Sequence, residues 1–253
     1  VDLELSDKVA LVTGGSHGLG RSVCLALSAE GAKVAVNYRR NPKKAEDLER
    51  EISERFGVET AAVHGSVADP VQVSAMFDAA EEKLGLVQIL INNAALSPSS
   101  FIQDTPDDVW DETIQTNLTG TFFTCREMAR RLLAAEKSGR IVNVSSTAAY
   151  LGSTSGRTHY DATKGAVVAF TISLAREMSK HRIAVNAVAP GLMFTQMTAD
   201  RLEKNRERYL ARIPLGRFGG TEEIADVIVF LASERASYMT GTVVNVSGGL
   251  LMG

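Results

Sequence analysis

Seven short apolar runs recur along the chain, and their spacing limits the possible folds more than any other feature. They are Val9-Ala10-Leu11-Val12, Val34-Ala35-Val36, Ala61-Ala62-Val63, Ile89-Leu90-Ile91, Ile141-Val142, Ile183-Ala184-Val185 and Val243-Val244. Most are β-branched, and such runs fit strands covered on both faces, as in a parallel sheet. Helix-length segments separate them. Asn41-Pro42, Asp69-Pro70 and Thr105-Pro106 each place a capping side chain before a proline at the first helical position. Thr105-Pro106-Asp107-Asp108 also has the form of a capping box. Near the end, Thr221 precedes Glu222 and Glu223, and Ile224, Val227, Ile228 and Leu231 share one helical face. Alternating strand and helix predict an α/β fold, a doubly wound, mostly parallel seven-stranded sheet with helices on both faces.

The length of 253 residues suits one large domain, and 45% hydrophobic content with a net charge of -3 excludes a disordered chain. No basic excess points to nucleic acid or to an anionic membrane. No apolar stretch approaches the roughly 18 residues of a spanning helix. The opening VDLELSDKVA has no apolar core of a secretory signal. Cys24 and Cys125 are expected as buried thiols, which goes with a cytoplasmic location. The expectation is a single domain over 1–253, in which the stretch from 191 to about 220 is an inserted helical flap over a site.

After the first run comes Thr13-Gly14-Gly15-Ser16-His17-Gly18-Leu19-Gly20, followed by a helical pattern. Glycines here let the backbone turn sharply and approach a pyrophosphate, and the helix that follows aims free N–H groups at the anion. The spacing differs from G-x-G-x-x-G, and a flexible strand-to-helix turn is the lesser alternative for the loop alone. The second run ends at Asn37-Tyr38-Arg39-Arg40. An acid about 20 residues past the loop would bond a ribose, whereas arginine suits a 2′-phosphate. No acid stands there, so NADP is expected over NAD, which stays possible.

Tyr160 and Lys164 are four apart in a helix-compatible segment, so they share a face. A phenol titrates near pH ~10, and lowering that by about three units takes roughly 4 kcal/mol of preference for the phenolate. A neighbouring ammonium can contribute to it. Ser145 and Ser146 end a strand candidate, Ile141-Val142-Asn143-Val144, where open α/β sheets line their ligand crevice.

Taken together these residues resemble the short-chain dehydrogenase/reductase family, nearly end to end. Thr13 through Gly20 is similar to its T-G-x-x-x-G-x-G, and Asn92-Asn93-Ala94-Ala95 to its N-N-A-G, with Ala95 for glycine. Tyr160 and Lys164 are similar to its Y-x-x-x-K, and Pro190-Gly191 with Thr195 to its P-G-x-x-x-T. The resemblance implies a Rossmann-type domain and hydride transfer between nicotinamide and a carbonyl or secondary alcohol. It implies Tyr160 as general acid/base, Lys164 as the residue that lowers its pKa and holds a ribose, and Ser146 as the serine orienting the carbonyl. Asn117 is implied as holder of a relay water. Ser146 stands fourteen positions before Tyr160, one more than the family's usual spacing, which leaves Ser145 as a lesser candidate.

Cofactor contacts implied in the same way are Gly14, Ser16, His17, Gly18 and Leu19 in the loop, and Asn37, Arg39 and Arg40 after the second strand. Ser66, Val67, Asn92, Ala94, Pro190, Gly191 and Thr195 complete them, with Tyr160 and Lys164. Two departures stand out. Ser66 replaces an aspartate that the family often uses on adenine, and His17 replaces an arginine common in NADP-dependent relatives. Ser97, Ser146, Leu151, Ser153, Tyr160 and Met193 are expected to line the substrate pocket, with Leu192 and Phe194 nearby. Arg157, just before the tyrosine, fits either a surface role or an anionic substrate.

The implied activity is NADP-dependent reduction of a ketone or 3-oxoacyl thioester. An NAD-dependent dehydrogenase of sugar, steroid or cyclic alcohols is the alternative, and a non-catalytic NADP sensor the reading from another class. The intact Asn117, Ser146, Tyr160 and Lys164 speak against the sensor. No catalytic metal is expected, because His17, His64, His159 and His181 lack ligand spacing. The family's habit implies a homotetramer built on helices near 107–137 and 158–180 and on the C-terminal segment. There Leu250-Leu251-Met252 forms an apolar tail, which packs at a contact or is left loose.

Overall fold

In a computed structural model describing residues 2–195 and 198–252, all seven runs become strands of one parallel sheet. In chain order the elements are β1 (Val9–Val12), α1 (Gly18–Ala29), β2 (Lys33–Tyr38), α2 (Pro42–Phe56), β3 (Thr60–His64), α3 (Pro70–Leu84) and β4 (Val87–Asn92). There follow α4 (Asp107–Ile114), α5 (Gly120–Ala134), β5 (Gly139–Val144), α6 (Ala148–Leu151), α7 (Thr158–Met178) and β6 (Ile183–Pro190). The last are α8 (Ala199–Lys204), α9 (Arg206–Leu210), α10 (Thr221–Ala232) and β7 (Val243–Val246).

The strand order is β3-β2-β1-β4-β5-β6-β7. The chain runs outward from β1 to β3, then returns to the other side of β1 as β4. The crevice of such a sheet opens where the direction reverses, at the carboxyl ends of β1 and β4. Side-chain alternation splits the core into two layers. Val12, Val36, Ile91 and Val142 pack beneath α1, α2 and α10, through Val23, Leu48 and Ile228. Leu11, Ala35, Leu90 and Ile141 face the other way, against Phe77 of α3 and Met128 of α5. Covering both faces explains why the strands read as unbroken apolar runs.

The Asn41 and Asp69 caps form: Asn41 accepts from Lys44 N–H at 3.1 Å, and Asp69 from Val71 N–H at 2.8 Å. The Thr105 capping box does not form. Helix α4 starts at Asp107, and the Thr105 hydroxyl donates backwards to the Phe101 carbonyl at 2.8 Å. A preceding 3-10 turn over Ile102–Asp104 offers it acceptors that the helix entry does not. At α10, Glu223 accepts from the Gly220 N–H at 2.8 Å.

The segment after β6 carries α8 and α9, and its two stems meet where Gly219 N–H donates to Leu192 at 3.0 Å. Leu202 and Ile213 are buried within it. Leu215 N–H donates to Gly248 at 3.1 Å, so the C-terminal turn packs against this segment. Leu250 reaches the cleft of its own chain, while Met252 is exposed. No helix among the described residues is long and apolar enough to cross a membrane.

Candidate active site

The loop after β1 is built so that only glycine fits. Gly14 (φ 61°) and Gly18 (φ 53°) occupy left-handed backbone. A Cβ at Gly20 would stand 2.3 Å from the Gly14 carbonyl. The loop is tied to the end of β4. The Thr13 hydroxyl accepts from the N–H groups of Asn93 (3.0 Å) and Ala94 (3.1 Å), and Asn93 Nδ2 donates to the Thr13 carbonyl at 2.9 Å. Helix α1 begins at Gly18 with no side-chain cap from His17, which leaves its first N–H groups for an anion. A tight glycine turn, an uncapped helix start and arginines at the next strand end together fit a dinucleotide.

Ser16, Leu19, Arg39, Arg40, Ser66, Val67, Ala94, Pro190, Gly191 and Thr195 all line this cleft with the three loop residues Gly14, His17 and Gly18. Thr195 faces Gly18 across it, 3.8 Å from where a Cβ would stand. Arg39 lies 3.6 Å from Glu112 of α4, a half-exposed pair that a phosphate can displace. Desolvation by the loop and the charge of Lys44 hold the His17 imidazole below its usual pKa.

Two expected contacts are turned inward. Asn37 borders the cleft but is 2% exposed. Its Oδ1 accepts from Gly14 N–H at 3.1 Å and its Nδ2 donates to the Gly65 carbonyl at 3.0 Å. It shapes the loop with both ends of its amide. Asn92 lies outside the cleft lining. Its Nδ2 donates to Asn143 at 2.9 Å, and its Oδ1 accepts from Thr124 at 2.6 Å. Asn143 in turn donates to Thr171 at 2.9 Å. The pleat of β4 sends Asn92 under the sheet, where this satisfied polar network pins β4 and β5 to α5 and α7. Asn93, the neighbour, takes the place at the cleft.

Helix α7 carries Tyr160 and Lys164. Its buried residues are His159, Thr163, Lys164, Val167, Thr171 and Ala175, four of the six polar. Lys164 is 4% exposed, and its Nζ donates to the Val144 carbonyl at 2.6 Å. That amine lies 5.6 Å from the centre of the Tyr160 ring. Burial pulls the Lys164 pKa down to about 8, so the group still carries its proton at neutral pH.

The two serines at the end of β5 separate cleanly. Ser145 is 2% exposed, and its hydroxyl donates to the Lys164 carbonyl at 2.9 Å. Ser146 is half-buried on the cleft wall, and its oxygen accepts from Ala148 N–H at 3.1 Å. Asn117 sits in a single π-helical turn, Gln115–Thr119, between α4 and α5. Its side chain clamps Leu96, accepting from the N–H at 2.8 Å and donating to the carbonyl at 2.9 Å, and donates to Thr163 at 3.1 Å. Such turns mark functional positions, and nothing in the sequence pattern signalled this one.

The cleft has a volume of about 460 Å³. Ser97, Leu151, Ser153, Leu192, Met193 and Arg157 also line it, while Phe194 lies outside the lining with its ring tilted against Phe218 at 5.7 Å. Tyr38, Asn93, Tyr209 and Arg212 also line it. Sequence reading missed Tyr209 and Arg212 because the segment that carries them folds back from a point far along the chain, and it passed over Tyr38 and Asn93 beside the neighbours it named. Among the described residues no group of three or more His, Cys, Asp or Glu side chains can hold a metal.

The profile of the family described as Enoyl-(Acyl carrier protein) reductase matches residues 14–251. The chain is 40% identical over 245 residues to the 3-oxoacyl-[acyl-carrier-protein] reductase FabG of Staphylococcus aureus (strain Mu50), covering 97% of this chain and 98% of the relative. It is 36% identical to the protein of the same name from Aquifex aeolicus (strain VF5), covering 99% and 100%. A short-chain type dehydrogenase/reductase from Mycobacterium marinum superposes with a TM-score of 0.95 at 32% identity, covering 100% of this chain and 98% of the other.

Proposed function

The chain belongs to the short-chain dehydrogenase/reductase family of NAD(P)-dependent enzymes acting on CH–OH groups, and from that premise we propose that it uses NADPH to reduce a ketone or a 3-oxoacyl thioester. The observation that carries this reading is the buried Lys164 amine 5.6 Å from the Tyr160 ring, in the cleft that the glycine loop also lines. The preference for NADPH rests on Arg39 and Arg40 and on a cleft lining that, among the described residues, contains no aspartate or glutamate. An acid there would repel a 2′-phosphate.

When bound, the nicotinamide supplies the hydride that goes to the carbonyl carbon. Tyr160 gives its proton to the developing alkoxide. The protonated Lys164, held by the Val144 carbonyl, favours the phenolate that remains. Ser146 accepts from the backbone at Ala148, which leaves its hydroxyl proton for the substrate oxygen. Asn117 spends both amide protons on the Leu96 carbonyl and Thr163, so its side chain holds these two segments in place. The 191–220 segment is the substrate flap of a single catalytic domain, with Thr195, Tyr209 and Arg212 facing the cleft.

The reading includes a homotetramer. Phe122 on α5 and Ile172 on α7 are exposed, and no residue of β7 is buried in the single chain. It also includes a cytoplasmic location, where NADPH is regenerated. The test is turnover of ketones, 3-oxoacyl thioesters and enoyl thioesters with NADPH and with NADH, followed by nicotinamide absorbance. NADPH consumption with a carbonyl compound is expected. A preference for NADH, or activity confined to enoyl substrates, would overturn the reading.

A further inference from the structure

The cleft wall carries more positive charge than the cofactor accounts for. Among the described residues its charged side chains are Arg39, Arg40, Arg157, Lys164 and Arg212, with no carboxylate, in a chain whose net charge is -3. Arg39 and Arg40 stand at the end of β2, where a ribose phosphate lies, and Lys164 faces Tyr160. Arg157 lies beside Ser97 and Tyr160, and Arg212 of the 191–220 segment lines the same cleft. Among the described residues no carboxylate comes within 4 Å of either guanidinium. Asp161, one turn after Arg157, is not paired with it: its Oδ2 accepts from Ser153, itself a cleft-lining residue, at 2.5 Å.

Arg157 is held, not loose. Its Nε donates to Ser155 at 3.2 Å, and its Nη1 lies 3.5 Å from the Ser97 hydroxyl. The loops that carry these serines are stitched together. Ser100 N–H donates to Gly156 at 2.7 Å, Ser99 donates to the Ser155 carbonyl at 2.5 Å, and His159 Nε2 meets the Pro98 carbonyl at 3.2 Å. The guanidinium lies 5.5 Å from the centre of the Tyr160 ring. Arg157 is also the N-cap of α7 and makes no capping bond. A cation is the wrong charge for that end of a helix, and arginine is a poor cap. A residue that breaks a local rule while facing a cleft marks a function.

We propose that Arg157, assisted by Arg212, binds a free carboxylate of the substrate, so that this enzyme acts on oxo acids or their hydroxy-acid products. The inference rests on the carbonyl-reductase reading above and narrows its substrate. Guanidinium and phenol are close enough for one small molecule to place its carbonyl at Tyr160 and its acid group on Arg157. The guanidinium fork matches a carboxylate in shape as well as in charge.

The test compares 2-, 3- and 4-oxo acids with their methyl esters in the full-length enzyme with NADPH. One acid is expected to exceed its ester in kcat/KM by at least about tenfold, through KM, because an Arg–carboxylate pair contributes on that scale. Arg157→Gln is expected to lower that acid-to-ester ratio about tenfold or more, and Arg157→Lys to restore part of it. Competitive inhibition of the unmutated enzyme by a carboxylic acid and by its amide checks the same point without a variant, and the acid is expected to bind tighter. Equal turnover of acid and ester would overturn the proposal. So would an Arg157→Gln variant that slows both alike and only shifts the pH profile, since the guanidinium would then act on Tyr160. If no carbonyl compound is turned over at all, the reductase reading itself falls, and this inference with it.

Discussion

The Lys164 amine stands 5.6 Å from the centre of the Tyr160 ring while donating a 2.6 Å bond to the Val144 carbonyl, so strand β5 holds the cation against the phenol. Burial lowers the Lys164 pKa from 10.5 to about 8. The unfolded chain then holds this proton more tightly than the folded one. The charge opposes folding fully below pH 8, and the opposition is relieved as pH rises toward the unfolded value. At ~1.4 kcal/mol per pKa unit, the stability of Lys164→Met relative to the parent should fall by roughly 3 kcal/mol from pH 7 to pH 10.5. Urea unfolding at the two pH values measures it, and a constant difference would refute the buried cation. Reduction should slow above about pH 8 in the parent, as Lys164 loses its proton.

Tyr160→Phe removes the acid and leaves the ring. NADPH affinity, read by quenching of nicotinamide fluorescence, should stay within a few-fold, while kcat drops by about 10²–10⁴. Unchanged turnover would remove Tyr160 from the mechanism.

The neighbouring serines should fail differently. Ser146→Ala is expected to lower kcat about 10²-fold with an unchanged unfolding midpoint, since its hydroxyl faces the cleft. Ser145→Ala breaks a buried bond to the Lys164 carbonyl and should lose about 1–3 kcal/mol of stability. Swapped phenotypes would reverse the assignment.

Arg39→Ala should weaken NADPH binding by about 10–100-fold, the scale of one charge-assisted contact, and change NADH binding little. Glu112→Gln frees Arg39 from its 3.6 Å partner and should tighten NADPH binding slightly. Equal losses for both cofactors in Arg39→Ala, measured by calorimetry, would remove the 2′-phosphate contact.

Gly20→Ala would place a methyl group 2.3 Å from the Gly14 carbonyl. The loop must open or the helix shift, so cofactor affinity should fall at least about tenfold and stability by about 1–3 kcal/mol. Thermal unfolding with and without NADPH reads both effects, and a variant with parental midpoints would show that the turn is not tight.

The strands and most helices were legible because their residues answer to local rules. β-branched runs such as Val34-Ala35-Val36 declare a sheet buried on both faces, and Asn41 and Asp69 declare helix starts. Thr105 misled because two arrangements satisfied its hydroxyl, and the neighbouring 3-10 turn offered the nearer acceptor. Asn92 and Asn93 could not be told apart, since the pleat alone decides which of two adjacent asparagines faces the cleft.

The i, i+4 spacing of Tyr160 and Lys164 and the glycines after β1 were determined by the sequence itself, because helix geometry and left-handed backbone depend on neighbours in the chain. Only the tertiary structure decided that Lys164 would be dry, that Asn117 would clamp Leu96, and that Arg157 and Arg212 would face one cleft. Desolvation and charge pairing depend on which distant segments come together, and no local pattern encodes that.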